Sequence, residues 1–405
     1  MSEALARLRD DVPPSVTINP ELAGARILVV DDSATVRKMI VLYLKRCGFS
    51  AIAEAKNGVE ACGAIEQQLP DLIVTDISMP EMDGLELIRR VRCNPQWATI
   101  PILVETGSTA HEDRGRIFAV GATDLISKPI DPREMLGRIK VHLEQQHLVR
   151  KLYEYQYAMA ADIELAREMQ ESLMPTREEI AAIEEKYGLD IATSYKASAG
   201  LGGDLWTLSA TDPGGVLLWM VDFAGHGISA ALNTFRFQAL IRSERQNTRQ
   251  LSEAMAALNE QLTTLLPVGQ FATVLGLRIL FDENCIEVVS AAAPPLVLRS
   301  GRTGYFQAIE APGLPVGFVR GATYSLARYP FPPGSALLAY SDALVETPFP
   351  PESRFTPESL ARALDRLGPT AGASEIQARL LKMLFPYTPQ DDLTTIMICD
   401  RRDEQ

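Results

Sequence analysis

From residue 26 to about residue 142, short β-branched or aliphatic runs alternate with stretches whose apolar residues recur at three- and four-residue steps. The runs are RILVV, SAIAEA, DLIVTD, IPILVE and DLISK. Strand-length apolar runs separated by helical periodicity predict an α/β doubly wound parallel sheet, with helices on both faces and a ligand site at the carboxyl ends of the strands. From Arg133 to Leu173 the pattern becomes one long polar helix, with no glycine after Gly137 and no proline before Pro175. Within it Leu148, Leu152, Tyr155, Met159, Ala166, Met169 and Leu173 follow a 3-4 heptad spacing interrupted at Asp162. That spacing fits a coiled-coil seam, and equally a helix packed on its own domains.

Beyond Tyr187 strand-like stretches are broken by Gly/Pro turns: DIATSYKAS, GDLWTLSA, GGVLLWMVDFA, FATVLGLRILF, CIEVVSA, PLVLRS, SALLAYSDA and LTTIMICDR. Helical blocks fall at Ile228–Asn247, Gln250–Leu265, Glu358–Leu367 and Ser374–Phe385. Many strands with helices grouped between them predict an α+β sandwich of about 200 residues, a size one domain can carry. The expected organisation is a flexible leader over 1–24, a first domain over 25–142, a helical linker over 143–175 and a last domain over 176–401.

Composition adds exclusions. Of 405 residues 46% are hydrophobic and 22% charged, which is the profile of an ordinary folded protein. A formal charge of -13 leaves no surplus of Lys and Arg to displace counterions from phosphates, so neither nucleic acid nor an anionic membrane is an expected partner. The five cysteines, Cys47, Cys62, Cys93, Cys285 and Cys399, are scattered and never form a CxxC pair. That pattern suits a reducing compartment rather than a disulfide framework or a zinc site. With no apolar stretch of signal-peptide or membrane-spanning length, the expected location is the cytoplasm.

In the first domain Asp31 and Asp32 end the first strand, Asp76 ends the third, Thr106 ends the fourth and Lys128-Pro129 follows the fifth. Strand ends on one edge of a parallel sheet converge, so three carboxylates would meet one hydroxyl and one ammonium. Carboxylates so close repel, and Mg²⁺ suits them, being held by a few carboxylates, waters and a phosphate. A lone Asp-Asp reads as a turn or helix cap; the five residues together read as a site. The segments VVDDS, VTDISMPEMDGLELIRRVR, PILVETGS and VGATDLISKP resemble the receiver domain of bacterial response regulators over roughly residues 26–145. The resemblance implies that Asp76 is the phosphoacceptor, attacking a phosphohistidine as a carboxylate nucleophile, which makes a histidine kinase or phosphotransfer protein a partner. It implies that Asp31, Asp32 and Asp76 with the Ser78 carbonyl hold Mg²⁺, and that Thr106 and Lys128 contact the new phosphoryl group. Leu125 stands where the family often has Tyr or Phe, which excludes an aromatic flip as the output step.

Four acidic motifs recur in the last domain: LGGDLW with Asp204, VDFAGHG with Asp222, YSDALVE with Asp342, and QDDLT with Asp391 and Asp392. Singly, each reads as turn chemistry. Four together, with no zinc-type Cys/His cluster and no Ser-His-Asp order, point to a carboxylate metal centre selecting hard ions, Mg²⁺ or Mn²⁺. In this order they are similar to the motifs of metal-dependent serine/threonine phosphatases of the PPM class, in particular the SpoIIE-like branch, from about Leu165 and its lead-in LAREMQESLMP to Arg401. The resemblance implies two metals, Mn²⁺ or Mg²⁺, that position and deprotonate a bridging water for in-line attack on phosphorus. Asp222 would bridge both ions and the Phe223 carbonyl would bind one; Asp342 and Asp391 would complete the other site. Asp204 would bind or orient metal waters, and Asp392 lies beside the matched ligand position.

Three positions depart from the family pattern. Ser290-Ala-Ala-Ala-Pro294 stands for the usual Asn-Ala-Gly-His loop, Ala343 for the glycine after the SD pair, and Ala224 for a histidine that assists the leaving group in the animal branch. His226 is expected to fix the turn into the helix that starts near Ile228. The reading that follows is a response regulator whose output dephosphorylates a phosphoserine or phosphothreonine protein, by resemblance an anti-sigma-factor antagonist, with the linker helix as the route of control and a homodimer seam. The competing reading is a phosphorylation-gated adaptor with a phosphatase-like binding domain. A nucleotide cyclase is a poor fit, since Gly202-Gly203-Asp204 continues as Leu-Trp, and a DNA-binding output lacks a basic recognition helix.

Overall fold

The computed structural model describes residues 18–107, 111–198, 200–211, 214–225, 227–244, 250–346, 355–367, 372–384 and 391–402. The chain divides into two units, Met1–Ala158 and Met159–Gln405.

In the first unit the apolar runs form β1 (Ile27–Val30), β2 (Ile52–Ala55), β3 (Leu72–Asp76), β4 (Ile102–Thr106) and β5 (Asp124–Ser127). They make one parallel sheet in the order β2-β1-β3-β4-β5. Between them run α1 (Ala34–Arg46), α2 (Gly58–Gln67), α3 (Gly84–Cys93) and α4 (His111–Val120), and α5 (Pro132–Glu171) follows β5. The side chains of Ser33, Asn57 and Asp83 each accept an N–H three residues on, which starts α1, α2 and α3 beside the strand ends. One sheet face packs Ile27, Val29, Leu103 and Ile126 with Ile40 and Leu44 of α1 and Met135, Leu136 and Ile139 of α5. The other packs Leu28, Ile73, Val104 and Leu125 with Ile65, Leu87 and Ile88. Because both faces are covered, the inner strands are apolar at nearly every position instead of alternating.

The long helix α5 opens with Pro132, whose missing N–H costs nothing in a first turn, and Asp131 accepts the Arg133 N–H at 2.8 Å. The interruption of the heptad at Asp162 does not break it, and the boundary between the two units falls inside it. Leu148, Leu152, Tyr155, Met159 and Met169 are exposed along its length. Leu173 lies just past the helix end, packed against the second unit's core. Among the described residues no helix is long and apolar enough to cross a membrane.

The second unit contains two antiparallel five-stranded sheets. One has the order β13-β10-β9-β8-β7 and joins β7 (Asp204–Thr211), β8 (Gly215–Phe223), β9 (Ala272–Leu280), β10 (Cys285–Ala291) and β13 (Ala327–Pro330). The other has the order β12-β11-β14-β15-β6 and joins β6 (Leu189–Lys196), β11 (Leu296–Arg299), β12 (Gln307–Ile309), β14 (Ala336–Tyr340) and β15 (Leu393–Asp400). Trp206, Leu218, Leu277 and Ile279 of the first sheet meet Leu298, Leu337, Ile396 and Ile398 of the second in a shared core. Outside the first sheet lie α7 (Ile228–Glu244) and α8 (Leu251–Leu265), sealed by Phe237, Ile241, Met255 and Leu258. Outside the second lie α10 (Pro357–Asp365) and α11 (Ala373–Leu384), sealed by Leu360, Leu364, Ile376 and Leu380. The result is the expected α+β sandwich.

Four elements differ from the sequence reading. The chain adds α6 (Arg177–Tyr187), closed by a Thr176/Glu179 capping box, and the strands β12 and β13. The stretch SALLAYSDA ends its strand at Tyr340, and its last residues enter a single helical turn, α9 (Ala343–Glu346).

Candidate functional site

The carboxyl ends of β1, β3, β4 and β5 bring the first unit's predicted residues together. Asp31 is buried and its Oδ1 accepts the Ser33 N–H at 2.7 Å, while Asp32 is exposed. Asp31, Asp32 and Asp76 each present an oxygen within 4.8 Å of the others. Asp76 Oδ1 accepts the Ile77 N–H at 2.7 Å, and Lys128 Nζ lies 2.7 Å from Asp76 Oδ2 and 4.0 Å from Asp31 Oδ2. Thr106 is buried at the end of β4, and its carbonyl accepts the Lys128 N–H at 2.8 Å. Ser78 lies on the exposed loop after β3, whose return is fixed by the Gly84 N–H donating to the Ile77 carbonyl at 2.9 Å. A Cβ on Gly84 would collide with the Asp76 carbonyl, so that approach requires glycine.

Burial raises the Asp31 carboxyl above the usual range, against the pull of the Ser33 N–H. Burial opposes the charge of Lys128, yet contacts with Asp76, Glu105 and Asp31 leave its ammonium above the ordinary lysine value. Asp31 Oδ2 is buried without a hydrogen-bond donor. An all-oxygen group of three acids with one unsatisfied buried oxygen fits a hard divalent cation. Leu125 is buried in the sheet core opposite Val104, so an aliphatic side chain fills the position the family often gives to an aromatic.

In the second unit β7 and β8 place Asp204 directly opposite Asp222. Asp204 is buried; its Oδ2 accepts the Thr394 hydroxyl at 2.5 Å and its Oδ1 has no donor. The strongest charge effects on Asp204, Asp222 and Asp342 come from one another and from Asp391, Asp392 and Glu346, all acids. Burial first, then these neighbours, pushes Asp222 up to about 7 and Asp342 up to about 6, and raises Asp204 as well. Among the described residues no three of these acids offer oxygens mutually within 4.8 Å. The donor set and the unsatisfied Asp204 oxygen fit hard divalent cations.

Phe223 anchors the loop after β8: its ring is buried edge-on to Phe237, and its N–H donates to the Gly203 carbonyl at 3.2 Å. A Cβ on Gly203 would come 2.7 Å from the Phe223 carbonyl, so glycine there leaves that oxygen uncovered. Gly225 and Gly227 have φ of 97° and 81°, the left-handed region that glycine tolerates. His226 lies outside the described residues.

The acid pair of QDDLT divides its work. Asp391 is exposed and accepts the Asp392 N–H at 2.8 Å, whereas buried Asp392 accepts the Ser198 N–H at 2.7 Å and the Gly203 N–H at 2.5 Å. Asp392 thereby fixes the loop that presents Asp204. In Ser290-Ala-Ala-Ala-Pro294, Ala292 has φ of 59° and the Ser290 hydroxyl accepts the Ala293 N–H at 3.1 Å. The loop keeps a left-handed turn at an alanine.

Two residues not singled out from sequence belong to these sites. Gln170, near the end of α5, is buried; its Nε2 donates to the Gly202 carbonyl at 2.6 Å and to Thr234 Oγ1 of α7 at 3.1 Å. The amide clips the Asp204 loop to the helix that follows Asp222. Glu105, beside Thr106 on β4, is completely buried, and burial pushes its carboxyl up to about 8 despite Lys128, with Asp31 and Asp76 adding to the rise.

Comparison with known proteins agrees with both halves. Residues 27–140 match the family model "Response regulator receiver domain", and residues 212–401 match "Stage II sporulation protein E (SpoIIE)". The chain belongs to the response regulators with a receiver domain, and its second unit is a SpoIIE-type, PP2C-like domain of the PPM phosphatase class. It is 41% identical over 119 residues to an uncharacterized 14.6 kDa protein of Leptolyngbya boryana, covering 29% of this chain and 90% of that one. It is 36% identical over 124 residues to the phosphate regulon transcriptional regulatory protein PhoB of Pseudomonas aeruginosa, covering 31% of this chain and 54% of the relative. The chain thus spans about half the length of that curated relative. The solved SiaA-PP2C domain of Pseudomonas aeruginosa shares the second unit's fold: 17% identity, 61% of this chain and 98% of that chain, TM-score 0.52.

Proposed function

We propose that this chain is a phosphorylation-controlled protein phosphatase. Asp76 takes a phosphoryl group from a histidine kinase or phosphotransfer protein, Lys128 and Thr106 receive its oxygens, and Asp31, Asp32, Asp76 and the Ser78 carbonyl hold Mg²⁺. In the second unit Asp204, Asp222, Asp342, Asp391 and the Phe223 carbonyl hold two Mn²⁺ or Mg²⁺. Ions bound there supply charge neutralisation and Lewis acidity for hydrolysis of a phosphoserine or phosphothreonine on a protein. The observation that carries the reading is the opposed Asp204/Asp222 pair, on which the strongest charge effects all come from acids. An anti-sigma-factor antagonist is the proposed substrate, on the resemblance to the SpoIIE branch alone.

The control route is α5. Its first turns are sealed into the receiver core by Met135, Leu136 and Ile139, and its end holds the Asp204 loop through Gln170. A change in pairing or geometry of this helix on phosphorylation would reach the acids through that amide. The exposed Leu148, Leu152, Tyr155 and Met159 offer a seam for a homodimer. A cytoplasmic location is proposed from the scattered free cysteines.

The test is Mn²⁺- or Mg²⁺-dependent hydrolysis of a phosphoserine protein by the full chain and by Asp222→Asn. Hydrolysis by the parent chain that Asp222→Asn removes is expected. Equal rates, or none in either, favour the adaptor reading.

A further inference from the structure

The receiver unit holds one chemical group that the phosphoryl-acceptor reading leaves without a task. Glu105 is fully buried at the next-to-last position of β4, opposite Asp76 in the β3/β4 register, and neither of its carboxylate oxygens has a hydrogen-bond partner. Its cation neighbour is Lys128, with Nζ 3.8 Å from Oε2, the same ammonium that lies 2.7 Å from Asp76. Ile102, Leu103 and Val104 on the same strand are fully buried and apolar, so an apolar side chain is the less costly choice at this depth. A carboxylate kept there against that cost, beside the lysine, calls for a role in the site.

We propose that Glu105 is a positioning residue for Lys128, sharing its ammonium with Asp76 and drawing it back from the phosphoryl group once Asp76 carries one. The proposal rests on the phosphoryl-acceptor reading above. A lysine ammonium is a compact charge with three donors on a flexible stem, so it can be divided between acceptors on two strands. Coulomb attraction falls only as the inverse of distance and is strong in a buried setting, so Glu105 once ionised, above about pH 8, competes at 3.8 Å with the carboxylate at 2.7 Å. Removing Glu105 takes away the nearer of the ammonium's two other acid neighbours, leaving only Asp31 at 4.0 Å beside the phosphoryl oxygens. The acceptor site then holds a phosphoryl group more tightly.

The test is titration of the full chain with beryllofluoride in the presence of Mg²⁺ at a pH above about 8, where Glu105 is ionised, followed by calorimetry, for the parent, Glu105→Gln and Glu105→Met. Both variants are expected to bind roughly three- to tenfold more tightly, in the lower part of the range of coupling between contacting side chains. Methionine matches the length of glutamate and suits an apolar site, so it carries the test if the amide variant fails to fold. In a Lys128→Gln background the gain is expected to vanish, which a merely structural role for Glu105 would not produce. Unchanged or weaker affinity in both variants, or an equal gain without Lys128, overturns the proposal while leaving the acceptor reading intact. Failure of the parent chain to bind beryllofluoride overturns the acceptor reading itself.

Discussion

The two acid clusters differ in where their countercharge comes from. In the receiver unit Asp31, Asp32 and Asp76 converge on the ends of parallel strands, and Lys128 from the end of β5, two strands over from β3, meets Asp76 at 2.7 Å. In the phosphatase-type unit the acids sit on antiparallel strands, a tight turn and a strand entrance, and each of the strongest charge effects on them is another acid's. The first site carries part of its own neutralisation. The second has only acids among the strongest charge effects on it, and burial with those neighbours raises its carboxyls towards the protonated form. A site that must receive an ion before it balances is well suited to being switched.

The largest effect expected is a reciprocal separation of activities. Asp76→Ala should abolish phosphoryl labelling while unstimulated hydrolysis persists. Asp222→Asn should lower metal-dependent hydrolysis by roughly a hundredfold or more, since bound metals supply several kcal/mol of transition-state stabilisation, and should leave labelling intact. Parallel radiolabelling and phosphate-release assays check both, and loss of both readouts in one variant would remove the contrast.

Next comes the response to metal and pH. Saturating Mn²⁺ at about a hundred times its dissociation constant should stabilise the second unit by about 2.7 kcal/mol, visible as a rise in its unfolding temperature that a chelator reverses. Asp222 and Asp342 are raised to about 7 and about 6, so the folded metal-free unit holds protons that the unfolded chain has lost. Its stability should therefore fall as pH rises from about 4 to 7, where the unfolded state binds fewer protons. Metal affinity should run the opposite way, growing through the same interval as protons leave the ligands. Calorimetric titration at pH 5.5 and 7.5 separates these cases, and a flat metal affinity would contradict the raised carboxyls.

Gln170→Ala should cost about 1–3 kcal/mol by leaving buried partners unsatisfied, and should uncouple hydrolysis from beryllofluoride at the receiver. Denaturant unfolding and a stimulated-to-basal rate ratio measure the two effects, and an unchanged ratio would remove the amide from the control route. The smallest effect belongs to Ala292→Gly, which should stabilise by about 1 kcal/mol by relieving a left-handed alanine, less the entropy glycine adds to the unfolded chain.

How much was legible in the sequence follows the same divide. The parallel strands announced themselves because both faces are buried, so RILVV and DLIVTD became β1 and β3 within a residue or two. Strands β12 and β13 escaped because they lie at sheet edges and mix half-buried with exposed residues, carrying little apolar signal. Helix α6 did leave a mark, the Thr176-x-x-Glu179 box, overshadowed by the longer helix before it. Carboxylates at strand ends could be read from motif spacing. Gln170 and Glu105 could not, because only tertiary packing turns one polar residue among many on a polar helix, or one acid in a strand, into a buried contact. The division of labour between Asp391 and Asp392 was hidden for the same reason, as the N–H donors lie 189 and 194 residues away.

The facing of Asp204 and Asp222 across β7 and β8 also bears on how the second unit folds. Side chains alternate faces along a strand, so a one-residue slip of that hairpin would turn the two acids to opposite sides of the sheet. Such a misaligned hairpin could bury similar apolar area, yet it would present no paired acids to a divalent ion. A cation held by this pair would thus act as a proofreader of strand alignment, rewarding only the chain that has closed its β7–β8 hairpin in the native register.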